Sequence, residues 1–496
     1  MSSPVPTSSD TPNSPSNGTA SSSSSFLASS TKCPSFHAFH VLGAILSFLL
    51  GIFTPALFEQ TNLQSLLQLQ DVFQLFIKHP LPPHTTTNTQ KQPIKHVSCS
   101  SDTLKHFLHD APIQGLHILC FDDLDDDVIL QMYYQAYHPI TLNTDDVSHH
   151  YSNNDKDRLW NYFVKKEVVS HHLKVQNHIV SNTQPWAFFS TTGMRIAGEL
   201  DDSKISSAQL IYTWDILRKH GMVVLYEGGN WMWPGVRIGY TRFVEVNALE
   251  SSNNQGQMDT MSSSTKTMEL ETLSIQPLVV SVKNFITVDE CDHIQNMAQP
   301  YMEYSTVTLM DQDKGRPASE FRTSQSTFLG ADDNDVIMKA LEDRTASLTR
   351  IPKSHQEFTQ VLRYGLGERY LAHLDWFDKR MYQNDKDTLQ MIQHGKRNRL
   401  ATVFWYLSDV QQGGETSFPR FNNAPHPHNP VSSNAWCDNA NLKVTPEKGK
   451  VIIFYSLLAD GRGDPLSLHG ACPVEKGIKW AANKWVWNAP MDFLIG

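Results

Sequence analysis

The stretch YLAHLDWF, residues 370–377, places His373 and Asp375 one residue apart within an otherwise apolar, aromatic run. Both side chains are costly to desolvate, so a strand that carries them in this company needs a reason to do so. On a β-strand, residues i and i+2 project to the same face, which puts His373 and Asp375 together and turns Leu374 away. An imidazole and a carboxylate side by side supply two donors of a 2-His-1-carboxylate facial metal site, a geometry that leaves coordination positions open. A third donor must then come from elsewhere in the chain.

The chain is 496 residues long, which is enough for two or three folded units. Hydrophobic residues make up 40% and charged residues 19%, an ordinary globular balance that leaves room for disordered segments. A net charge of −10, with no long basic run, argues against a nucleic-acid partner, because phosphate binding draws on a Lys/Arg surplus. Cys33, Cys99, Cys120, Cys291, Cys437 and Cys472 form no CxxC pair and no Cys/His zinc spacing, which speaks against a structural zinc site.

Residues 1–35 are rich in Ser, Thr, Pro, Asn and Gly and read as a disordered tail. The stretch from Cys33 to Phe58 holds no Asp, Glu, Lys or Arg, and residues 36–58 read as one transmembrane signal-anchor. Lys32 precedes it and Glu59 and Asp71 follow, with no Lys or Arg before Lys78, which places the tail in the cytosol and the remainder in the lumen, a type II topology. A cleaved signal peptide and a plastid transit peptide compete with this reading. The long apolar run and distant start disfavour the first, and the absence of Arg disfavours the second.

Residues 59–99 read as an amphipathic juxtamembrane helix, LQSLLQLQDVFQLFI, followed by the Pro-rich stem HPLPPHTTTNTQKQP. Residues 100–248 return to globular composition and read as an accessory region, with a helix at SSAQLIYTWDILRKHG and a strand-like run through MVVLYEGGNWMWPGVRIGYTRFVEV. DDLDDD within it lacks the Gly and terminal Glu of a calcium loop and reads as a solvated acidic turn. The histidine pairs at 149–150 and 171–172 read as surface residues. A polar stretch at 249–267 reads as a linker.

Residues 268–490 differ, with short β-rich runs (FTQVLRYG, LATVFWYLS, KVIIFYSL, KWAANKWVWN) separated by Gly/Pro/Asn turns, after helical stretches near TVDECDHIQNMAQPYM and NDVIMKALEDRTASLT. The pattern predicts an α+β, mainly β domain: a sandwich or jelly roll with helices packed on one side. His469, in PLSLHGACPV near the start of another predicted strand, is the candidate third donor. Lys479, in KGIKWAANKW, is a cation in a Trp/Ala-rich stretch that calls for an anionic partner. Non-haem iron oxygenases of this type commonly use 2-oxoglutarate, whose far carboxylate needs a buried cation.

With these residues in order, the segment from VKNFITVDECDHI to KWVWN resembles the catalytic domain of prolyl 4-hydroxylases, in particular the plant and algal membrane-anchored type. The matching pieces are STV (305–307), RTSQSTFL (322–329), QVLRYGLGERYLAHLDWF (360–377), NRLATVFWYLSDVQQGGETSFP (398–419) and DPLSLHGACPVEKGIKWAANKWVWN (464–488). The resemblance implies a double-stranded β-helix (jelly roll) that hydroxylates peptidyl proline with Fe(II), 2-oxoglutarate, dioxygen and ascorbate. It implies His373, Asp375 and His469 as iron ligands and Lys479 as the partner of the distal 2-oxoglutarate carboxylate, with Tyr364 and Thr416 as hydroxyl partners. Tyr370, Arg399 and Trp485 stand at positions that line the peptide groove in the family. A cystine between Cys437 and Cys472 and an endoplasmic reticulum or Golgi membrane location are implied likewise.

The chain departs from the family at Gly367-Glu368, where Gly-Gln is frequent, and at Trp376, where Tyr is frequent. FNNAPHPHNPVSSNAW is an inserted loop, and its His426 and His428 read as loop residues. The rival reading is a 2-oxoglutarate oxygenase that acts on another residue or a small molecule.

Overall fold

The computed structural model describes residues 101–124, 127–142, 187–197, 220–251, 261–330, 335–427 and 433–491. All fall within one compact unit, Pro93–Gly496. The predicted tail, signal-anchor, juxtamembrane helix and stem lie outside the described residues, as do most of SSAQLIYTWDILRKHG and both histidine pairs. Among the described residues, no helix is long and apolar enough to cross a membrane.

Strands β1 (Leu116–Leu124), β2 (Asp127–Tyr134), β3 (His138–Leu142), β4 (Ala187–Phe189), β5 (Arg195–Ala197) and β6 (Met222–Tyr226) build an antiparallel sheet in the order β3-β2-β1-β6-β4-β5. β6, MVVLY, is buried along its whole length, as a continuous apolar run in a strand covered on both faces should be. Of the acidic run, Asp122 and Asp123 fall in β1 and Asp127 opens β2, where it pairs with Leu124.

From residue 241 the strands are β7 (Thr241–Ser251), β8 (Met261–Ile275), β9 (Leu278–Lys283), β10 (Glu303–Tyr304), β11 (Gln325–Leu329), β12 (Thr359–Tyr364) and β13 (Tyr370–His373). They continue as β14 (Arg399–Tyr406), β15 (Gln412–Gly413), β16 (Thr416–Ser417), β17 (Lys443–Val444), β18 (Val451–Tyr455), β19 (His469–Ala471), β20 (Val474–Lys476) and β21 (Lys479–Trp487). Nine of them form one sheet, β10-β11-β12-β21-β14-β18-β9-β8-β7, and four form a smaller one, β13-β19-β16-β17.

Period-2 alternation in β14, RLATVFWY, explains how the sheet is covered on both faces. Ala401, Val403 and Trp405 enter one apolar core, while Phe404 and Tyr406 enter a second core, which also holds Phe418, Val444 and Ala471 of the smaller sheet and its loops. The two sheets therefore face each other across side chains of both, the sheet-rich arrangement expected from the sequence. Helices α1 (Val288–Ala298) and α2 (Val336–Thr349) cover the other face, contributing Ile294, Leu341 and Leu348 to its core. α1 opens with a capping box in which Thr287 and Glu290 satisfy each other's backbone N–H groups. α2 opens on Asp335, whose carboxylate accepts from the Ile337 and Met338 amides.

Two expectations about organisation change. The stretch at 249–267 is no linker over its described part: Leu249–Ser251 and Met261–Thr267 pair as the outer end of the β7/β8 hairpin. The region read as accessory is also continuous with the catalytic half, since Leu116, Val224, Trp231 and Trp233 share a core with Val403 and Ile453. The Trp233 amide donates to the Tyr455 hydroxyl at 3.0 Å, and its indole N–H donates to the Leu348 carbonyl at 2.8 Å.

Candidate active site

β13 pairs with β19 so that His373 and His469 are direct cross-strand partners, with ring centroids 4.5 Å apart. β13 stops at His373, and Asp375 follows in a bend rather than in the strand that i, i+2 spacing predicts. The bend still returns its carboxylate to the imidazoles: Oδ1 lies 3.6 Å from His373 Nε2, and Oδ2 lies 3.6 Å from His469 Nε2. His373 Nδ1 is 2.8 Å from the Leu371 carbonyl and His469 Nδ1 is 2.9 Å from the Ser467 carbonyl. A carbonyl only accepts, so in each neutral ring the proton sits on Nδ1 and Nε2 keeps a bare lone pair towards Asp375.

The carboxylate is itself held. Its Oδ2 accepts from the Thr402 hydroxyl at 2.6 Å and from the Trp485 indole N–H at 2.9 Å. Burial pulls the Asp375 carboxyl upward, but His469, His373 and Arg399 together outweigh it and hold it below the usual carboxylate range. Burial pushes His469 down to about 4 against the pull of Asp375, so its ring is neutral near pH 7, the form a metal needs. One donor atom from each of His373, Asp375 and His469 lies within 4.8 Å of the others. Two imidazole nitrogens and one carboxylate oxygen are a donor set that fits Fe(II).

Lys479 begins β21 opposite Tyr364 and is wholly buried, with no hydrogen-bond partner for its Nζ among the described residues. The rings of Tyr364, Phe404 and Tyr406 lie 5.3, 5.5 and 5.7 Å from that nitrogen. Burial pulls its ammonium down to about 7, opposed by the charge of Glu415. A buried lysine whose ammonium makes no hydrogen bond has its donors free for an incoming carboxylate. Thr416 accepts from the Tyr406 hydroxyl at 2.7 Å, which adds Tyr406 to the predicted set. The Tyr364 phenol is raised by burial, against the Arg322 charge and hydrogen bonds with Ser324 and Arg322.

Of the three predicted groove residues, Tyr370 stacks on His373 with centroids 3.7 Å apart, and the Arg322 guanidinium lies 4.8 Å above its ring. Arg399 and Trp485, the other two, are each engaged with neighbouring side chains. Arg399 is forked onto Glu357 at 2.6 and 2.9 Å and lies 3.6 Å over the Trp485 ring. Trp485 is buried and holds Asp375, so its indole belongs to the carboxylate's support as much as to any groove.

Thr402, Glu357 and Arg322 escaped the sequence reading. Thr402 carries a faint signal, a hydroxyl on the β14 face that points into the site. Cys437 and Cys472 are disulfide-bonded with Cα atoms 5.7 Å apart, as the resemblance implied. Glu415 approaches them, but paired cysteines are not available to a metal. His426 sits on an exposed loop against the Pro427 carbonyl, as expected, and His428 lies outside the described residues.

Facing sheets that gather two histidines, one carboxylate and a buried lysine define the class of 2-oxoglutarate-dependent iron oxygenases, and residues 359–487 match the model of the 2OG-Fe(II) oxygenase superfamily. The chain is 39% identical over 220 residues to the probable prolyl 4-hydroxylase 3 of Arabidopsis thaliana, spanning 44% of this chain and 71% of that protein. With the probable prolyl 4-hydroxylase 10 of the same plant, identity is 33% over 290 residues, or 57% of this chain and 93% of the relative. The solved viral collagen prolyl hydroxylase of Paramecium Bursaria Chlorella virus-1 is 22% identical with a TM-score of 0.29, covering 42% of this chain and 95% of that one. The chain belongs to the prolyl 4-hydroxylase family.

Proposed function

We propose that this chain hydroxylates peptidyl proline to 4-hydroxyproline, with His373, Asp375 and His469 holding Fe(II) and Lys479 holding 2-oxoglutarate. The observation that carries this is the pairing of a largely buried nitrogen-nitrogen-oxygen donor set with a buried lysine whose Nζ has no hydrogen-bond partner among the described residues. Bound Fe(II) and 2-oxoglutarate supply the oxidative chemistry, by which dioxygen ends as one oxygen in succinate and one in the proline hydroxyl, with release of carbon dioxide. Ascorbate is the reductant typical of the family.

The chain's own residues bind and orient. Leu371 and Ser467 fix the two imidazole tautomers, while Thr402 and Trp485 anchor the carboxylate so that three donors meet without rearrangement. Lys479 pairs with the distal carboxylate of 2-oxoglutarate, and the rings of Tyr364, Phe404 and Tyr406 keep water from that pair. Tyr370, stacked on His373, borders the space beside the metal ligands that a target proline would enter. Glu357 holds Arg399 against Trp485 and so presets the cation for a peptide carbonyl next to the target residue.

The chain fits a type II membrane protein of the endoplasmic reticulum or Golgi with a lumenal double-stranded β-helix. The Cys437–Cys472 bond and a disulfide-bonded Cys120 support an oxidising compartment. Its substrate is then a proline-rich secretory protein whose polyproline II segments dock with little loss of entropy. The test is succinate release from 2-oxoglutarate by the purified full chain with and without a proline-rich peptide. Release stimulated by lysine, asparagine or small-molecule substrates instead would leave only the oxygenase class.

A further inference from the structure

We infer that the accessory region is a brace for the iron site, acting through one loop, Ala459–Asp464, that leads into His469. This rests on the ligand assignment proposed above.

The contact between region and loop is backbone against backbone. The Gly228 amide donates to the Ala459 carbonyl at 2.9 Å, and a Cβ at Gly228 would lie 2.6 Å from the Gly461 nitrogen. Gly115, at φ +87°, is closer still: a Cβ there would lie 2.4 Å from the Asp460 nitrogen. These two glycines lie at the ends of neighbouring strands β1 and β6, and the Glu227 amide ties them by donating to the Gly115 carbonyl at 2.9 Å. Asp460 closes the loop on itself, buried and paired with Arg462 at 2.7 Å.

The loop's far end reaches two of the three ligands. Trp376, the residue after Asp375, donates its indole N–H to the Asp464 carbonyl at 3.1 Å. Its ring lies so close over Gly463 that a Cβ there would fall 2.4 Å from it. The same Asp464 carbonyl accepts from the Ser467 hydroxyl at 2.7 Å, and the Ser467 carbonyl accepts the His469 Nδ1 proton at 2.9 Å. One carbonyl thus fixes the bend that bears Asp375 and the turn that bears His469. The position of that carbonyl is set by the loop that Gly115 and Gly228 clamp. Direct partners of a metal ligand, as the Ser467 carbonyl is of His469, set metal affinity by about 10–100-fold.

The experiment is Co(II) titration of the metal-free full chain, followed by calorimetry and by the visible d–d bands, for Gly228→Ala, Trp376→Phe and Asp375→Ala, with thermal unfolding of each. Gly228→Ala and Trp376→Phe should each weaken Co(II) about tenfold or more and alter the d–d bands, while a cooperative unfolding transition persists. Should Gly228→Ala fail to fold, Trp376→Phe decides alone, because it keeps an aromatic ring over Gly463 and removes only the N–H. Wild-type affinity and spectrum in the braced variants, with no Co(II) bound by Asp375→Ala, would overturn the brace and leave the ligand assignment standing. Wild-type affinity in Asp375→Ala would overturn the assignment and the brace with it.

Discussion

Lys479 offers a prediction whose size follows from its surroundings. Its Nζ is wholly buried with no hydrogen-bond partner among the described residues, and its ammonium is pulled down to about 7 by burial. The dicarboxylate binds the charged form, which predominates below that value and is lost above it. Affinity for 2-oxoglutarate should therefore fall as pH rises, by up to about tenfold, or 1.4 kcal/mol, per unit above the titration point. Between about pH 7 and 9 this amounts to roughly 50-fold. Calorimetry of 2-oxoglutarate binding to the Mn(II)-loaded full chain without oxygen, in steps from about pH 6 to 9, reads the slope directly. Lys479→Met should flatten the profile and weaken binding at the acidic end by roughly 2–5 kcal/mol, the penalty for leaving a buried carboxylate unpaired. An affinity in the parent chain that stays constant or rises over this range would refute the reasoning, as would an unchanged profile in Lys479→Met.

Asp375→Ala should abolish turnover, and a rate above a tenth of normal in saturating iron would remove Asp375 from the ligand set. Thr402→Val preserves shape but deletes the 2.6 Å bond to Asp375; it should weaken Fe(II) by about 1–3 kcal/mol, read as a higher iron concentration for half-maximal activity. Trp485→Phe keeps an aromatic ring under Arg399 and should shift iron dependence as well as peptide saturation, whereas a pure groove residue would move only the latter. Replacing Cys437 and Cys472 by Ser opens a loop of 35 residues and should cost roughly 3–4 kcal/mol, seen as a lower unfolding midpoint.

What could be read in advance followed from cost. His373, Asp375, His469 and Lys479 stand in apolar stretches where such groups survive only with a partner, and the structure brings the first three together and buries the fourth. The helical stretch near TVDECDHIQNMAQPYM was also legible, and the structure shows what opens it, the capping box of Thr287 and Glu290. Thr402 was not, because a threonine in LATVFWY is also an ordinary strand former. Glu357 lies 42 positions from the arginine it holds, a pairing that only the β12, β21 and β14 neighbourhood creates. The long hairpin of β7 and β8 hid because its Ser/Thr-rich outer part lacks apolar alternation, although Val244, Val246, Met268 and Leu270 are buried nearer its base. The shared core between Trp233 and Ile453 is likewise a product of contacts distant in sequence.

The central claim is proline hydroxylation, and the most direct measurement is mass spectrometry of a proline-rich peptide after incubation with the full chain, iron, 2-oxoglutarate and ascorbate. Poly-proline or Pro-Pro-Gly repeats should gain one oxygen per modified proline, located on the ring as 4-hydroxyproline and absent when Asp375→Ala replaces the parent chain. Unmodified peptides alongside continued 2-oxoglutarate turnover on a different substrate would contradict it.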